Sequence, residues 1–296
     1  MKRLISCVVV LVLSSIARAE MPQHPYPSVV YTFEKRETPE PQKIYVARID
    51  LTDANVTVRV SRGGPDPDGD GKWETTLMRP TKVADREGFD VVINGDFFAH
   101  LSGKDAEGAA ALKEFKSGIP ATVIGPAMTD GEAWATPDKP RAAFMIDHAK
   151  HPSIRVIKDP PASAYEVIAG SDVIVKDGKN VAPPPTKPGF ARGPHPRTAV
   201  GIGNNGKMLI LVVIDGRKKG EAIGMSLTDE ADVLLKYGAQ QAINLDGGGS
   251  SMLGIRDPQT GKMQIMNTPS DGAERSVGNV LGVSVHPAHA AKEPAN

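Results

Sequence analysis

The stretch AINLDGGGSSML, residues 242–253, sets one carboxylate, Asp246, ahead of three glycines and two serines. A two-residue hairpin turn needs one glycine, not three, and each further glycine costs backbone entropy on folding. Backbone without Cβ atoms lets a ligand approach closely. The N–H groups of Gly247, Gly248 and Gly249, with the hydroxyls of Ser250 and Ser251, suit an anion or a polar substrate.

Two other apolar runs end alike: VVING at Asn94, with Asp96 two residues on, and LVVIDG at Asp215. Residues two apart share a face of a strand. Asn244 and Asp246 therefore point the same way, and Asp96 joins Asn94 if that strand runs on. Asp-Gly and Asn-Gly are also the commonest hairpin signals. Asp177-Gly178 is read wholly in that way, whereas GRKKGEAIGMS after Asp215 is too long for a tight hairpin. Arg197 in HPRTAVG and Arg275 in AERSVGNV each open a strand. A guanidinium fork is the usual holder of phosphate or carboxylate, although a surface or salt-bridged arginine is the plainer reading of each alone.

The elements that must carry these residues are mostly strands. Thirty glycines and 25 prolines against 5% aromatics favour strands joined by loops over a helical bundle. KIYVARIDL and NVTVRVSR alternate apolar and polar residues and read as a hairpin. FDVVINGDFF, IPATVIG, RAAFMID, SIRVIK, YEVIAGSDVIVKDGK, RTAVGIG, KMLILVVIDG, QAINLDG, SSMLGI and NVLGVSVHP supply further strands. One helix is plain: Ser226 and Asp229 make a capping pair, Leu227, Ala231, Leu234 and Leu235 give the period, and Gly238 stops it. A second helix is expected after Pro80, and residues 100–118 read as a short helix or an insertion. The expected fold is α+β, with residues 29–287 as a single domain around a mixed or antiparallel multi-stranded sheet core and a few helices. An extended lead-in at 20–28 and a frayed tail at 288–296 flank it.

Residues 1–19 begin with Lys2 and Arg3, continue through an apolar run from Leu4 to Leu13 and end in Ala17-Arg18-Ala19. That pattern is a secretory signal peptide cut before Glu20, which implies a periplasmic or secreted protein. The one cysteine, Cys7, lies inside it, so the mature chain folds on its core without disulfides. Basic and acidic residues balance at 35 each, with no basic stripe, so nucleic acid is not an expected partner. No later apolar run is long enough for a membrane span in the mature chain. Asp66-x-Asp68-x-Asp70-Gly71 copies the first half of a calcium loop. Its twelfth position is Leu77, with Glu74 the nearest substitute, so a structural calcium and a solvated acidic turn are both open. The histidines lack ligand spacing.

Taken in order, NGDFF, HPRTAVGI, VVIDGR, SLTDEADVLLKYGAQQAINLDGGGSSML and ERSVGNVLGV resemble the phosphodiester glycosidase domain family, which includes the enzyme that uncovers mannose 6-phosphate. The resemblance covers about residues 83–285 and is densest from His195 onward; the DPDGDG loop and residues 100–118 fall outside its motifs. It implies an exported hydrolase that cleaves a sugar–O–phosphate bond of a glycan, wall polymer or glycolipid through an oxocarbenium-like state. The implied partner is a carbohydrate or sugar-phosphate, and no cofactor is required. A phosphate monoester leaves readily, so a cation bound to its oxygens can largely replace protonation.

The resemblance further implies Asp246 as the main carboxylate, nucleophile or base, with Asp215 as the second and Arg197 holding phosphate. Gly247, Gly248, Gly249, Ser250 and Ser251 would act as donors, and Asn94 and Asp96 as sugar or water contacts. Glu230 either faces the cleft or stabilises the helix dipole, and Arg275 either contacts substrate or is a buried partner of Glu274. Rival functions are a non-catalytic polysaccharide-binding or exopolysaccharide-export protein on the same fold and a phosphoesterase. The lack of a His/Asp cluster counts against the latter.

Overall fold

The strand Met208–Ile214 is apolar throughout because it is buried on both faces. Leu209, Leu211 and Val213 point into one core, and Ile210, Val212 and Ile214 into another. In a computed structural model that describes residues 21–101, 115–184 and 193–285, this strand lies inside a seven-stranded sheet. Its order is Val29–Arg36, Gln42–Asp50, Met208–Ile214, Arg197–Gly203, Ala239–Asn244, Val173–Lys176 and Lys179–Asn180.

Two five-stranded sheets close over the inner face. One runs Met263–Ile265, Leu253–Arg256, Val91–Asn94, Asn279–Ser284, Thr57–Arg62; the other runs Pro152–Ile157, Arg141–Asp147, Ala164–Ala169, Ala127–Thr129, Glu132–Ala135. Tyr45, Leu211 and Ile243 from the first sheet meet Ile93, Leu281 and Phe144 from the others in the main core. A three-stranded sheet of Thr75–Thr76, Pro120–Val123 and Phe98–His100 stands to one side.

Two α-helices cover the outer faces. Helix α1 (Pro80–Glu87) opens on proline, ends at Gly88 with φ +72°, and lays Val83 and Ala84 on Phe89 and Val92. Helix α2 (Leu227–Lys236) opens on the expected capping box of Ser226 and Asp229. Its Leu227, Ala231 and Leu234 pack on Ile44, Ala199, Ile210 and Val212.

Every strand pairing recorded among the described residues is antiparallel. The fold is mostly β with two α-helices rather than α+β, because only two segments carry a helical period. KIYVARIDL and NVTVRVSR are both strands, yet they do not form a hairpin. Gln42–Asp50 buries Ile44, Tyr45, Val46 and Ala47 consecutively, so it needs partners on both sides and takes Val29–Arg36 and Met208–Ile214. Thr57–Arg62 pairs with Asn279–Ser284 in a different sheet. Asp177-Gly178, at φ +50° and +67°, turns the hairpin between Val173–Lys176 and Lys179–Asn180. The lead-in is anchored: buried Tyr26 donates its hydroxyl to Asp90 Oδ1 at 3.2 Å and to the Arg256 carbonyl at 2.9 Å. The leader at 1–19, residues 102–114 of the expected insertion and the tail at 288–296 lie outside the described residues.

Candidate active site

Two strand ends from different sheets meet at Asp246. Its N–H donates to the Gly95 carbonyl at 3.0 Å, and its own carbonyl accepts from Asn94 Nδ2 at 2.6 Å. Asn94 is fully buried, and its Oδ1 accepts from the Thr198 hydroxyl at 2.8 Å and the Met252 N–H at 3.1 Å. Its amide is thus a clamp on the loop rather than a group open to a sugar. The glycine triplet folds into one 3₁₀ turn, Gly248–Ser250, with Gly248 at φ +63° and its N–H on the Pro196 carbonyl at 2.9 Å. That backbone posture favours glycine.

Asp246 is partly exposed, and burial pushes its carboxyl up to about 6. The Ser250 hydroxyl, Arg275, the Gly247 N–H and Arg217 oppose that shift. Asp96, 2% exposed, accepts the Gly125 N–H on Oδ2 at 2.8 Å, while its own N–H donates to Asn279 Oδ1 at 2.8 Å. Burial raises it well above the usual carboxylate range, and the Asp246 charge adds to this. Burial thus favours the neutral form of both carboxyls, and Asp96 is the more deeply buried of the two.

Asp215, expected as the second carboxylate, is held by hydrogen bonds on both oxygens. Its Oδ1 accepts from Asn267 Nδ2 at 3.2 Å and the Thr268 N–H at 3.0 Å, and its Oδ2 from the Tyr45 hydroxyl at 3.1 Å. Both oxygens are occupied. Asn267 in turn donates to the Ser251 carbonyl and accepts the Leu253 N–H, each at 3.0 Å. Asp215 thus braces the loop from behind, and the carboxylate whose charge couples to Asp246 is Asp96.

The arginines also redistribute. Arg197 is fully buried and donates through Nε to the Met225 carbonyl at 2.7 Å and through Nη2 to the Gly193 carbonyl at 3.0 Å. Beneath it, on the first turn of α2, Glu230 is fully buried with neither carboxyl oxygen hydrogen-bonded. Burial pushes Glu230 up to about 8, against the pull of Arg197. The Arg197 charge reaches Glu230 without an ion pair or hydrogen bond between them; Glu230 faces inward rather than standing at a solvated helix end.

Arg275 donates through Nε and Nη2 to Asp271 Oδ2 at 2.9 and 2.6 Å and lies 3.8 Å over the Phe115 ring. Glu274 does not pair with it; Glu274 Oε2 accepts the Thr81 N–H at 3.1 Å. A Cβ on Gly249 would stand 2.0 Å from Arg275 Nη2, so glycine there leaves room for the Arg275–Asp271 pair.

Arg217 closes the VVIDGR motif but looks in sequence like an ordinary turn residue. The structure places it over Gly248: a Cβ there would lie 2.9 Å from Nη2, 3.2 Å from Nη1 and 3.3 Å from Cζ. The guanidinium is packed flat on the glycine. His195, whose backbone pairs with Met225, is held below its usual pKa by burial and by the charges of Arg197 and Arg217.

Buried polar atoms almost always find a partner. On the segments that converge at Asp246, Ser250 Oγ, Ser251 Oγ, Asn244 Oδ1 and Asn279 Nδ2 are buried without one. Such a concentration of unmet hydrogen-bonding capacity suits a polar ligand.

The Asp66–Asp70 loop turns inward on itself. Asp66 Oδ1 accepts the N–H groups of Asp68 at 3.1 Å and Gly69 at 2.8 Å, and Asp68 those of Lys72 at 3.0 Å and Trp73 at 3.3 Å. Asp70 is exposed. Among the described residues no three His, Cys, Asp or Glu side chains gather as a metal site. These bonds close the loop on itself as an acidic turn.

An antiparallel β protein with a carboxylate cradled by glycines at a strand end, ringed by arginines, is the class that fold and site define. The sequence profile described as Phosphodiester glycosidase matches residues 87–284, and the chain belongs to that family. Among curated proteins, the SPbeta prophage-derived uncharacterized protein YomE of Bacillus subtilis (strain 168) is 34% identical over 90 residues, which are 30% of this chain and 13% of that protein. The catalytic domain of zebrafish N-acetylglucosamine-1-phosphodiester alpha-N-acetylglucosaminidase, auto-inhibited by its pro-peptide, superimposes with a TM-score of 0.60 at 19% identity, over 86% of this chain and 82% of that one. A protein of Burkholderia pseudomallei K96243 considered to be exported gives a TM-score of 0.56 at 16% identity, over 82% and 74%.

Proposed function

We propose that the protein is an exported glycosidase that hydrolyses a glycosyl phosphodiester at the sugar C1–O bond. Membership of the family supports the reaction class, and Asp246 carries the reading. It is a partly exposed carboxyl with a pKa near 6, its charge coupled to the buried Asp96, on a turn whose Ser250 and Ser251 hydroxyls are buried. Ionised Asp246 meets the positive charge that grows on C1. Burial raises the Asp96 pKa, which disfavours a second negative charge beside Asp246. The C1–O electron pair leaves on the phosphate oxygen, and water supplies the new oxygen on C1. Export is supported by the leader-like residues 1–19, and no described helix is long and apolar enough to cross a membrane.

The test uses the purified mature protein and a panel of glycosyl phosphodiesters in ¹⁸O-labelled water. The expected result is label on the sugar and at least a 10³-fold loss of release in Asp246→Asn, in line with the loss of a nucleophile or base. Label in the phosphate, or equal turnover by the variant, overturns the assignment.

A further inference from the structure

We propose that Arg217 is the residue that recognises the phosphoryl group, holding it against the Gly247–Ser250 turn beside Asp246. Three observations converge on it. Arg197, expected to hold phosphate, is buried and directed at two carbonyls, and Arg275 is already neutralised by Asp271. Arg217 is exposed, and among the described residues its guanidinium makes no ion pair or hydrogen bond. An uncommitted arginine fork matches two oxygens of a phosphoryl group.

The second observation is placement. Arg217 sits at φ +62°, a left-handed posture that costs a non-glycine residue on the order of 1 kcal/mol. The turn that follows holds it there: its N–H donates to the Ile223 carbonyl at 3.2 Å, and Lys218 and Ala222 bridge at 2.9 Å. The result is a guanidinium laid flat over Gly248, close enough for its charge to lower the Asp246 pKa. The third is the Ser250 hydroxyl on the same turn, 0% exposed, with no partner at full hydrogen-bonding geometry and close enough to Asp246 to help lower its pKa. An uncommitted cation over the glycine turn and a buried hydroxyl beside it form an anion site next to Asp246.

The proposal rests on the glycosidase reading for its role in turnover. As the C1–O bond breaks, its electron pair stays on the phosphate oxygen, water oxygen bonds to C1 and the water proton passes to a carboxylate. Nothing is oxidised. The monoester leaves with one more unit of negative charge than it carried in the substrate, and Arg217 stands where that charge appears.

The first experiment is a ³¹P NMR titration with methyl phosphate, which has no sugar. Wild type is expected to bind, Arg217→Gln to bind at least tenfold more weakly, and Arg217→Lys to fall between them. Because the side chain is exposed and unpartnered, all three are expected to melt within about 2 °C of one another. No binding by wild type, or equal binding by Arg217→Gln, overturns the proposal. The second compares kcat/KM on glycosyl phosphodiesters with that on neutral aryl glycosides of the same sugars. Arg217→Gln is expected to lose about 10²–10³-fold on the former, as when one transition-state donor is removed, and at least tenfold less on the latter. Equal losses also overturn it. Wild type that binds methyl phosphate through Arg217 but releases sugar from neither substrate overturns the glycosidase reading instead, and leaves the anion site standing.

Discussion

Asn94 donates its side-chain N–H to the main-chain carbonyl of Asp246 across 2.6 Å, joining residues 152 positions apart. The same amide oxygen accepts from Thr198 and Met252, so one buried side chain fixes three segments around the carboxylate.

Replacing Asn94 with alanine leaves the Asp246 carbonyl, the Thr198 hydroxyl and the Met252 N–H without this partner. Each buried group so stranded costs about 1–3 kcal/mol, and we expect a total loss near 3 kcal/mol. Urea unfolding at fixed pH measures it. A variant within 0.5 kcal/mol of wild type would show that the clamp is not structural.

The pH dependence of activity should run opposite to that of stability. Asp246 has a folded pKa of about 6, above its unfolded value near 3.9. The folded state thus prefers the neutral carboxyl, and this contribution to stability is full below pH 4 and lost as pH rises through 6. Activity needs the ionised form, so kcat/KM should rise tenfold per pH unit below 6 and level off above it. Asp96→Asn should leave that limb in place, because burial favours the neutral form of Asp96. A downward shift of more than one pH unit in Asp96→Asn would show instead that an ionised Asp96 had been raising it.

Glu230 offers a purer stability test, because it is fully buried and neither carboxyl oxygen is hydrogen-bonded. Its folded pKa of about 8 exceeds the unfolded value near 4.3. Its contribution is complete below pH 4 and is lost progressively as pH rises through 8. Glu230→Gln should match wild type near pH 4 and gain over it up to pH 8, by roughly 2–4 kcal/mol at the upper end. Unfolding curves at pH 5 and pH 8 settle the point; a gap that does not widen between them would place a counter-charge on Glu230 that the packing does not show.

Gly249→Ala and Gly248→Ala should separate packing from posture. A Cβ at 249 would meet Arg275 Nη2 at 2.0 Å and Asp271 Oδ2 at 2.2 Å, displacing a side-chain pair without disturbing the backbone. At 248 the new methyl meets Arg217 and also strains a φ of +63°, worth a further 1 kcal/mol or so. Thermal melts should show the larger loss in Gly248→Ala; the reverse order would mean that the Arg275–Asp271 pair cannot move aside.

The parts of the fold that were legible in sequence are those decided locally. The capping box at Ser226, the Asp177-Gly178 turn and the strand ends at Asn94 and Asp246 each follow from a few neighbouring residues. Strand partnership was not legible, because alternation in NVTVRVSR says which face is buried but not which strand lies alongside. The strand Val29–Arg36 was passed over altogether; as an edge strand, its outer positions are only partly buried and its pattern is weak. Asp215 and Asp246 look alike in sequence, both ending apolar strands before glycine. Tyr45, Asn267 and Thr268, from distant parts of the chain, make one of them a brace. Arg217 was hidden for a related reason: its significance lies in the glycine beneath it, 31 residues on, and not in its own neighbours.

The carboxylate's backbone bonds also have a consequence in time. Asp246 is tied by its N–H to Gly95 and by its carbonyl to Asn94, which belong to a different sheet. Neither sheet alone contains the site. Contacts so far apart in sequence form late, after the intervening chain has given up its freedom. In refolding, catalytic competence should therefore return in the last kinetic phase, behind the recovery of strand signal, and a chain halted before its sheets dock would be inert however much β structure it had gained.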